Sequence, residues 1–168
     1  MNTVLLGNIV ALIGAAIMVS TGFLKTKKQI LTVQCFQYGV LSISNAILGA
    51  FTGITANVVG IARNLFCMKK EFTTPWKLVF IATQLTLFFA FNADGWFGLL
   101  PAAATCAYTW LLDLKDEVQL KIVIIITVLC WAVYDFAFKN YVTFAFDLGT
   151  VVSNLAGIVT LRRAAKRG

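Results

Sequence analysis

The sequence predicts an all-α membrane protein with seven transmembrane helices. Of its 168 residues, 60% are hydrophobic and 12% are charged, and the mean hydropathy is +0.85. Soluble domains are less apolar and about twice as charged. The apolar stretches are roughly 17 to 21 residues long, which is the length a helix needs to cross the hydrocarbon core. The spans should be helical, because an open sheet would leave unpaired backbone groups in lipid.

Charged and turn-rich breaks divide the chain into seven spans. The first is too long for a signal-peptide core and no basic segment precedes it, so it is predicted to be a retained span. The second and third are divided only by the sequence GAFTG at 49–53, but residues 30–67 are too long for one crossing, and two glycines favour a tight hairpin there. The predicted spans are 4–24, 30–50, 51–67, 76–91, 96–112, 118–136 and 143–161.

The basic residues predict the orientation. In this arrangement, 13 of the 14 lysines and arginines fall on one side of the membrane, and only Lys139 lies on the other. Arg63, near the end of the third span, is predicted to snorkel toward the basic side. Positive residues accumulate on the cytoplasmic side. We therefore expect the N-terminus outside and the C-terminus in the cytoplasm.

Several classes of function are disfavoured. Nucleic-acid binding is not expected, because the basic residues are distributed over loops between apolar spans. The chain contains four cysteines, no CxxC pair and no histidine, so we expect no disulfide framework, metal site or cofactor. Nucleophile and metalloprotease motifs are absent, and paired carboxylates occur only in the loop at 113–117. The sequence therefore predicts no enzyme.

A short motif occurs twice. The segment ANVVGI at 56–61 is repeated as SNLAGI at 153–158, which aligns Asn57 with Asn154 and Gly60 with Gly157. Chance similarity between helices rich in small residues is the alternative explanation. The repeat predicts one membrane domain over 1–168, with a triple-helix unit at 1–70, a linker helix at 71–95 and a second triple-helix unit at 96–168. One intervening span makes the two units parallel.

These features resemble a known group of membrane proteins. Two triple-helix units around a linker helix, with an asparagine in the third and seventh spans, resemble the SWEET, PQ-loop and PnuC clan. The length, the segment ANVVGIARNLF at 56–66 and the basic C-terminal end are similar to the YgjV-type bacterial inner-membrane proteins. The resemblance implies a SWEET-like bundle in the bacterial inner membrane. It also implies that Asn57 and Asn154 lie beside a central solute.

The chain departs from sugar-transporting relatives of that clan. Those relatives carry a tryptophan sixteen residues before each asparagine, where this chain has Leu41 and Phe138, and it contains no Pro-Gln pair. Pro101, in the fifth span, is the proline placed to serve as a hinge. The resemblance thus assigns Leu41 and Phe138 to the solute site and Pro101 to a hinge, but it does not identify the solute.

The polar residues within the spans have two interpretations each. A buried amide must be satisfied, since leaving it unpaired costs roughly 2 to 7 kcal/mol, and either a solute or a neighbouring helix can satisfy Asn57 and Asn154. Asp147 lies seven residues before Asn154 and hence on the same helix face. It is a candidate for coupling transport to protons, or an acidic residue at a helix N-terminus that is favoured by the helix dipole.

The leading functional hypothesis is a transporter of a small polar solute that works by alternating access around a site between the two units. The first alternative is a membrane scaffold, sensor or enzyme subunit without transport activity. The second is a substrate-capturing subunit of a vitamin importer. The expected partners are the solute and the lipid bilayer. The sequence does not determine the oligomeric state.

Overall fold

The computed structural model describes residues 3–92, 95–114, 116–137 and 140–166. Each of the seven predicted spans overlaps one α-helix, so the prediction of an all-α fold with seven helices is confirmed. Short 3-10 turns follow the first helix at Thr21–Phe23 and precede the fifth at Gly95–Gly98. The helices are α1 (Thr3–Ser20), α2 (Lys27–Leu48), α3 (Phe51–Lys69), α4 (Thr74–Phe91), α5 (Leu99–Leu111), α6 (Glu117–Ala137) and α7 (Tyr141–Ala165).

Local sequence signals set both ends of α2. The Thr26 side chain accepts a hydrogen bond from the Gln29 N–H, and the Gln29 side chain accepts one from the Thr26 N–H, which forms a capping box. This box starts α2 three residues before the predicted position. At the other end Gly49 has φ +74°, a left-handed conformation that glycine adopts without steric cost. The chain reverses there and α3 begins at Phe51, so the predicted tight hairpin is confirmed.

Five segments of the described chain are long and apolar enough to cross a membrane, namely those containing α1, α2, α4, α6 and α7. The other two helices differ from them for physical reasons. Buried polar residues, among them Asn57, Arg63 and Asn64, lower the hydropathy of α3. Helix α5 has only 13 residues, although the 3-10 turn before it extends the helical segment.

The exterior of the bundle is apolar. Large hydrophobic side chains are exposed along the long helices, including Leu12 on α1, Phe36 on α2, Phe89 on α4 and Val152 on α7. Soluble proteins rarely expose apolar surface this extensively. The exterior therefore suits lipid.

The helices pack in an order that brings the first and last helices together. Neighbours along the chain pack on each other from α1 to α3 and from α5 to α7, while α7 also packs on α1 and α3 on α5. These contacts close a circuit of six helices, and α4 packs against α3 and α5. An apolar core lies where α2 and α6 begin and α5 ends, with Ile30, Leu31, Leu112 and Leu120 at its centre.

A buried lysine fixes the end of α1. The Nζ of Lys121, on α6, donates to the backbone oxygens of Thr21 at 3.3 Å and Gly22 at 2.8 Å. Its side chain is fully buried, and Gly157 of α7 lies against it and against the Gly22 oxygen. Carbonyls at a helix end lack intrahelical donors, so this ammonium group satisfies them and joins α1, α6 and α7.

Candidate functional site

A cavity lies inside the circuit of six helices. It has about 910 Å³ of empty space, counting the space at its mouth. Residues of α1 to α3 and of α5 to α7 line it, so both halves of the chain contribute. Three lining residues, Tyr108, Ile124 and Val128, also belong to the apolar core, which places the core directly beside the cavity.

Arg63 is the cation of this cavity among the described residues. Its Nε and Nη2 donate to the Asn64 Oδ1 at 3.1 and 3.0 Å, and its Nη1 donates to the Thr109 Oγ1 at 3.0 Å. The guanidinium carbon lies 4.6 Å from the centre of the Tyr108 ring, within range of a cation–π interaction. The residue is 1% exposed and lines the cavity. The prediction that Arg63 snorkels to the membrane surface is therefore wrong, because its side chain has hydrogen-bonding partners inside the bundle.

A polar network holds these partners in place. The Asn64 Nδ2 donates to the Gln34 Oε1 at 3.1 Å, and the Tyr108 hydroxyl donates to the same oxygen at 3.0 Å. Gln34 is on α2, Asn64 on α3 and Tyr108 on α5, so the network connects three helices. We call Arg63 and its partners Gln34, Asn64, Tyr108 and Thr109 the arginine cluster.

Two carboxyl groups line another part of the same cavity. Asp135, near the end of α6, accepts a hydrogen bond from the Asn140 Nδ2 at 3.2 Å. Its carboxyl group is also within hydrogen-bonding reach of Asp147 on α7. Asp135 is 6% exposed and Asp147 is 1% exposed. We call Asp135 and Asp147 the carboxyl pair.

The position of Asp147 distinguishes its two interpretations. Helix α7 begins at Tyr141 and its first turn contains no acidic residue, so Asp147 lies in the second turn. The helix dipole acts mainly on the first turn and does not account for a carboxyl group at this depth. Asp147 lines the cavity and lies beside Asp135, which agrees with the other interpretation, a role in the cavity.

The structure places the two repeated asparagines in different surroundings. Asn57 is buried and lines the cavity together with Leu41. Asn154 is fully buried, its Nδ2 donates to the Thr150 backbone oxygen of its own helix at 2.9 Å, and it is not among the cavity-lining residues. Its Oδ1 has no hydrogen-bond partner within the described part of the chain.

Of the two remaining predicted positions, one lies away from the cavity and the other lies outside the described residues. Pro101 is the third residue of α5 and does not line the cavity. A proline in the first turn removes no helical hydrogen bond, so the helix continues through it unbroken, and its hinge role stays a prediction. Phe138 lies outside the described residues.

Sequence reasoning did not assign Arg63 or Asp135 to the site. A sequence signal was present, since an ionisable residue inside an apolar span is usually functional and faces the bundle interior. Arg63 and Asp135 both fit that description. Arg63 lies near the end of its predicted span, which favoured the snorkelling interpretation instead.

In the described ranges, no three His, Cys, Asp or Glu side chains form a group that could hold a metal ion. The four cysteines are unpaired. What the cavity offers is hydrogen-bond donors and acceptors, one cation and two carboxyl groups.

Comparison with known proteins identifies the family but no individual relative. No curated protein and no solved structure matches the chain. A family model, Imp-YgjV, described as a bacterial inner membrane protein, matches residues 5–165. Since this match covers nearly the whole sequence, the chain belongs to the Imp-YgjV family of bacterial inner membrane proteins.

Proposed function

We propose that the protein transports a small polar solute across the bacterial inner membrane by alternating access. The observation that carries this proposal is the cavity, to which both halves of the chain contribute polar side chains. Ligand sites in membrane transporters commonly lie between repeats.

The helix contacts support a SWEET-like arrangement of two triple-helix units. If α1, α2 and α3 are matched with α5, α6 and α7 in that order, the contact between α7 and α1 corresponds to the contact between α3 and α5. The same matching relates the contacts within one unit to those within the other. Movement of one unit relative to the other would open the cavity alternately to the two sides, with α4 as the linker.

The apolar core supplies one barrier for such a cycle. It packs where α2 and α6 begin, the side on which 12 of the 14 basic residues lie in the proposed topology, since Arg63 lines the cavity and Lys139 lies on the other side. We place that side in the cytoplasm, with the N-terminus outside. Separation of α2 from α6 would break this core and connect the cavity to the cytoplasm.

Asn57 and Leu41 are proposed to contact the solute, because both line the cavity. An amide provides donors and an acceptor, which suits a polar solute. The carboxyl pair is the proposed site for coupling to protons, and Pro101 remains the proposed hinge. No catalytic step is proposed.

Uptake by reconstituted vesicles tests the proposal. Proteoliposomes that contain only this protein would be incubated with an isotope-labelled extract of bacterial metabolites, and retained solutes would be identified by mass spectrometry. Protein-free liposomes and a Thr105→Phe variant, which fills the cavity, are the controls. We expect a saturable solute that both controls fail to accumulate.

Absence of any such solute would contradict transport by this chain alone. It would favour the alternatives of a scaffold, a sensor, an enzyme subunit or the substrate-capturing subunit of a larger importer. The Thr105→Phe protein must elute as the same species as the unmodified protein in detergent for the comparison to hold.

A further inference from the structure

The cavity is lined by a basic side chain and two acidic side chains that form no ion pair with each other. Among the described residues the ion pair is Lys77 with Asp113, and neither residue lines the cavity. Arg63 and the carboxyl pair both line it, yet no guanidinium nitrogen lies within 4 Å of either carboxyl group. Burying a charge without a partner is costly. A solute placed between these groups would compensate both.

The arginine cluster has donors to spare. Of the five guanidinium N–H groups, three are used by Asn64 and Thr109, so one on each terminal nitrogen remains. A planar guanidinium matches a carboxylate with two parallel hydrogen bonds. The stacked Tyr108 ring and the bonds to Asn64 fix the plane of the guanidinium group in advance, which lowers the entropy cost of binding.

The carboxyl pair provides the complementary charge. Two adjacent buried carboxyl groups do not both ionise readily, because adjacent negative charges repel strongly. A cationic group bound beside them would favour the ionised form of the pair. The Oδ2 of Asp147 has no hydrogen-bond partner within the described ranges and is buried in the cavity wall. It is free to accept a hydrogen bond from a cationic donor.

We propose that the solute is a small zwitterion, whose carboxylate binds Arg63 and whose ammonium group binds the carboxyl pair. This inference rests on the proposed function, since it names the solute class of the same site. Arg63 and the carboxyl pair, which both line the cavity, provide partners of opposite charge for the two ends of a zwitterion. Met18, Ile124 and Val128 also line the cavity and suit an aliphatic chain between the two charged groups.

A ligand series in detergent tests this assignment through the thermal unfolding of the purified protein. The probes are straight-chain amino-carboxylates from glycine to 6-aminohexanoate. Butanoate, butylamine and glucose serve as compounds that lack one or both charges. We expect one or two chain lengths in the series to raise the unfolding temperature and bind saturably. The singly charged compounds should bind at least about tenfold more weakly, because each loses a charge-assisted bond.

Two substitutions separate the two ends of the solute. Arg63→Gln should weaken binding of the best amino-carboxylate about 10- to 100-fold while butylamine is unaffected. Asp147→Asn should weaken the same ligand and leave butanoate unaffected. Arg63→Lys retains the charge but loses the planar fork, and we expect an intermediate loss. Lys77→Gln, which removes a buried cation outside the cavity, is the matched control and should bind as the unmodified protein does.

The possible results distinguish this inference from the proposed function. Binding of the series without flux in proteoliposomes would contradict transport and leave the zwitterion site standing. Flux of a neutral or singly charged solute that Arg63→Gln does not alter would contradict the zwitterion site and leave transport standing. No binding by any amino-carboxylate, or equal binding by glucose, would overturn the assignment. If Arg63→Gln fails to fold, Arg63→Lys and Asp147→Asn give the same comparison.

Discussion

Helices α3 and α7 carry the two copies of the repeated motif, but the copies have different neighbours. In α3, Asn57 lines the cavity and Gly60 lies against the ring of Tyr38 on α2. In α7, Asn154 bonds within its own helix and Gly157 lies against a backbone oxygen after α1. The same residue types therefore serve a cavity wall in one copy and helix packing in the other.

The charged residues show the same asymmetry. The repeat aligns Arg63 with Thr160, which is exposed and donates to the Ala156 backbone oxygen at 3.0 Å. It aligns Asp147 with Ala50, in the turn between α2 and α3. Each charge thus occurs in one copy only. Repetition preserves the small residues that let helices approach, whereas the chemistry of the cavity comes from the positions at which the copies differ.

The largest expected effect on stability comes from the glycine of the second copy of the motif, Gly157, which the repeat aligns with Gly60. In Gly157→Ala the new Cβ would overlap the Gly22 backbone oxygen and lie 3.0 Å from the Lys121 Nζ. A backbone carbonyl cannot move without displacing the end of α1. Overpacking of this kind costs about 1 to 3 kcal/mol, and we expect the upper end of that range, measured as a lower thermal unfolding temperature in detergent.

Gly60→Ala is the matched control. Its Cβ would meet the Tyr38 ring at 2.9 Å, and the end of a side chain can shift. Alanine also favours the helix by about 1 kcal/mol relative to glycine, so we expect a net change of less than about 1 kcal/mol. Equal destabilisation by the two substitutions would show that the two copies pack alike.

The repeated asparagines should differ in binding. Asn57→Ala removes an amide from the cavity wall, and we expect the affinity for the transported solute to fall about tenfold, the value of one hydrogen bond of about 1.4 kcal/mol. Asn154→Ala removes an intrahelical bond and an unpartnered oxygen. We expect it to leave affinity unchanged and to alter stability by less than about 1 kcal/mol.

Thermal unfolding with and without saturating solute measures both quantities in one experiment. An equal loss of affinity in the two variants would restore the hypothesis that both asparagines contact the solute. A stability loss in Asn57→Ala without a change in affinity would instead show that Asn57 acts only in helix packing.

Much of the fold follows from local signals in the sequence. Apolar length identified seven helices, and the glycines at 49–53 located the hairpin. The missed start of α2 also had a local signal, because Thr26 and Gln29 have the spacing of a capping box. Local interactions decide these features, and sequence displays them directly.

The site was less predictable, since it depends on which helix faces meet. Asn57, Leu41 and Asp147 were identified and line the cavity. The sequence places Arg63 near a helix end, where snorkelling is the usual outcome, and nothing local shows that Asn64 and Thr109 will hold it inside. Likewise, the repeat could not show that α7 presents Asn154 away from the cavity, because that depends on its contact with the end of α1.

The smallest expected effect concerns the linker that joins the two halves. Lys77, at the start of α4, pairs with Asp113, just after α5, at 2.7 Å, and its ammonium group lies 5.2 Å from the Trp110 ring. The Asp113 side chain is 49% exposed, and pairs with an exposed member contribute about 0 to 1 kcal/mol. We expect Asp113→Asn to reduce stability by about 0.5 kcal/mol, and the difference to vanish near 1 M salt, where charges are screened within about 3 Å.

Thermal unfolding at low and high salt measures this difference in stability. A loss above about 2 kcal/mol that persists in salt would contradict the expectation and show that α4 is fixed to the second half by this pair, so that the linker and α5 to α7 move as one unit.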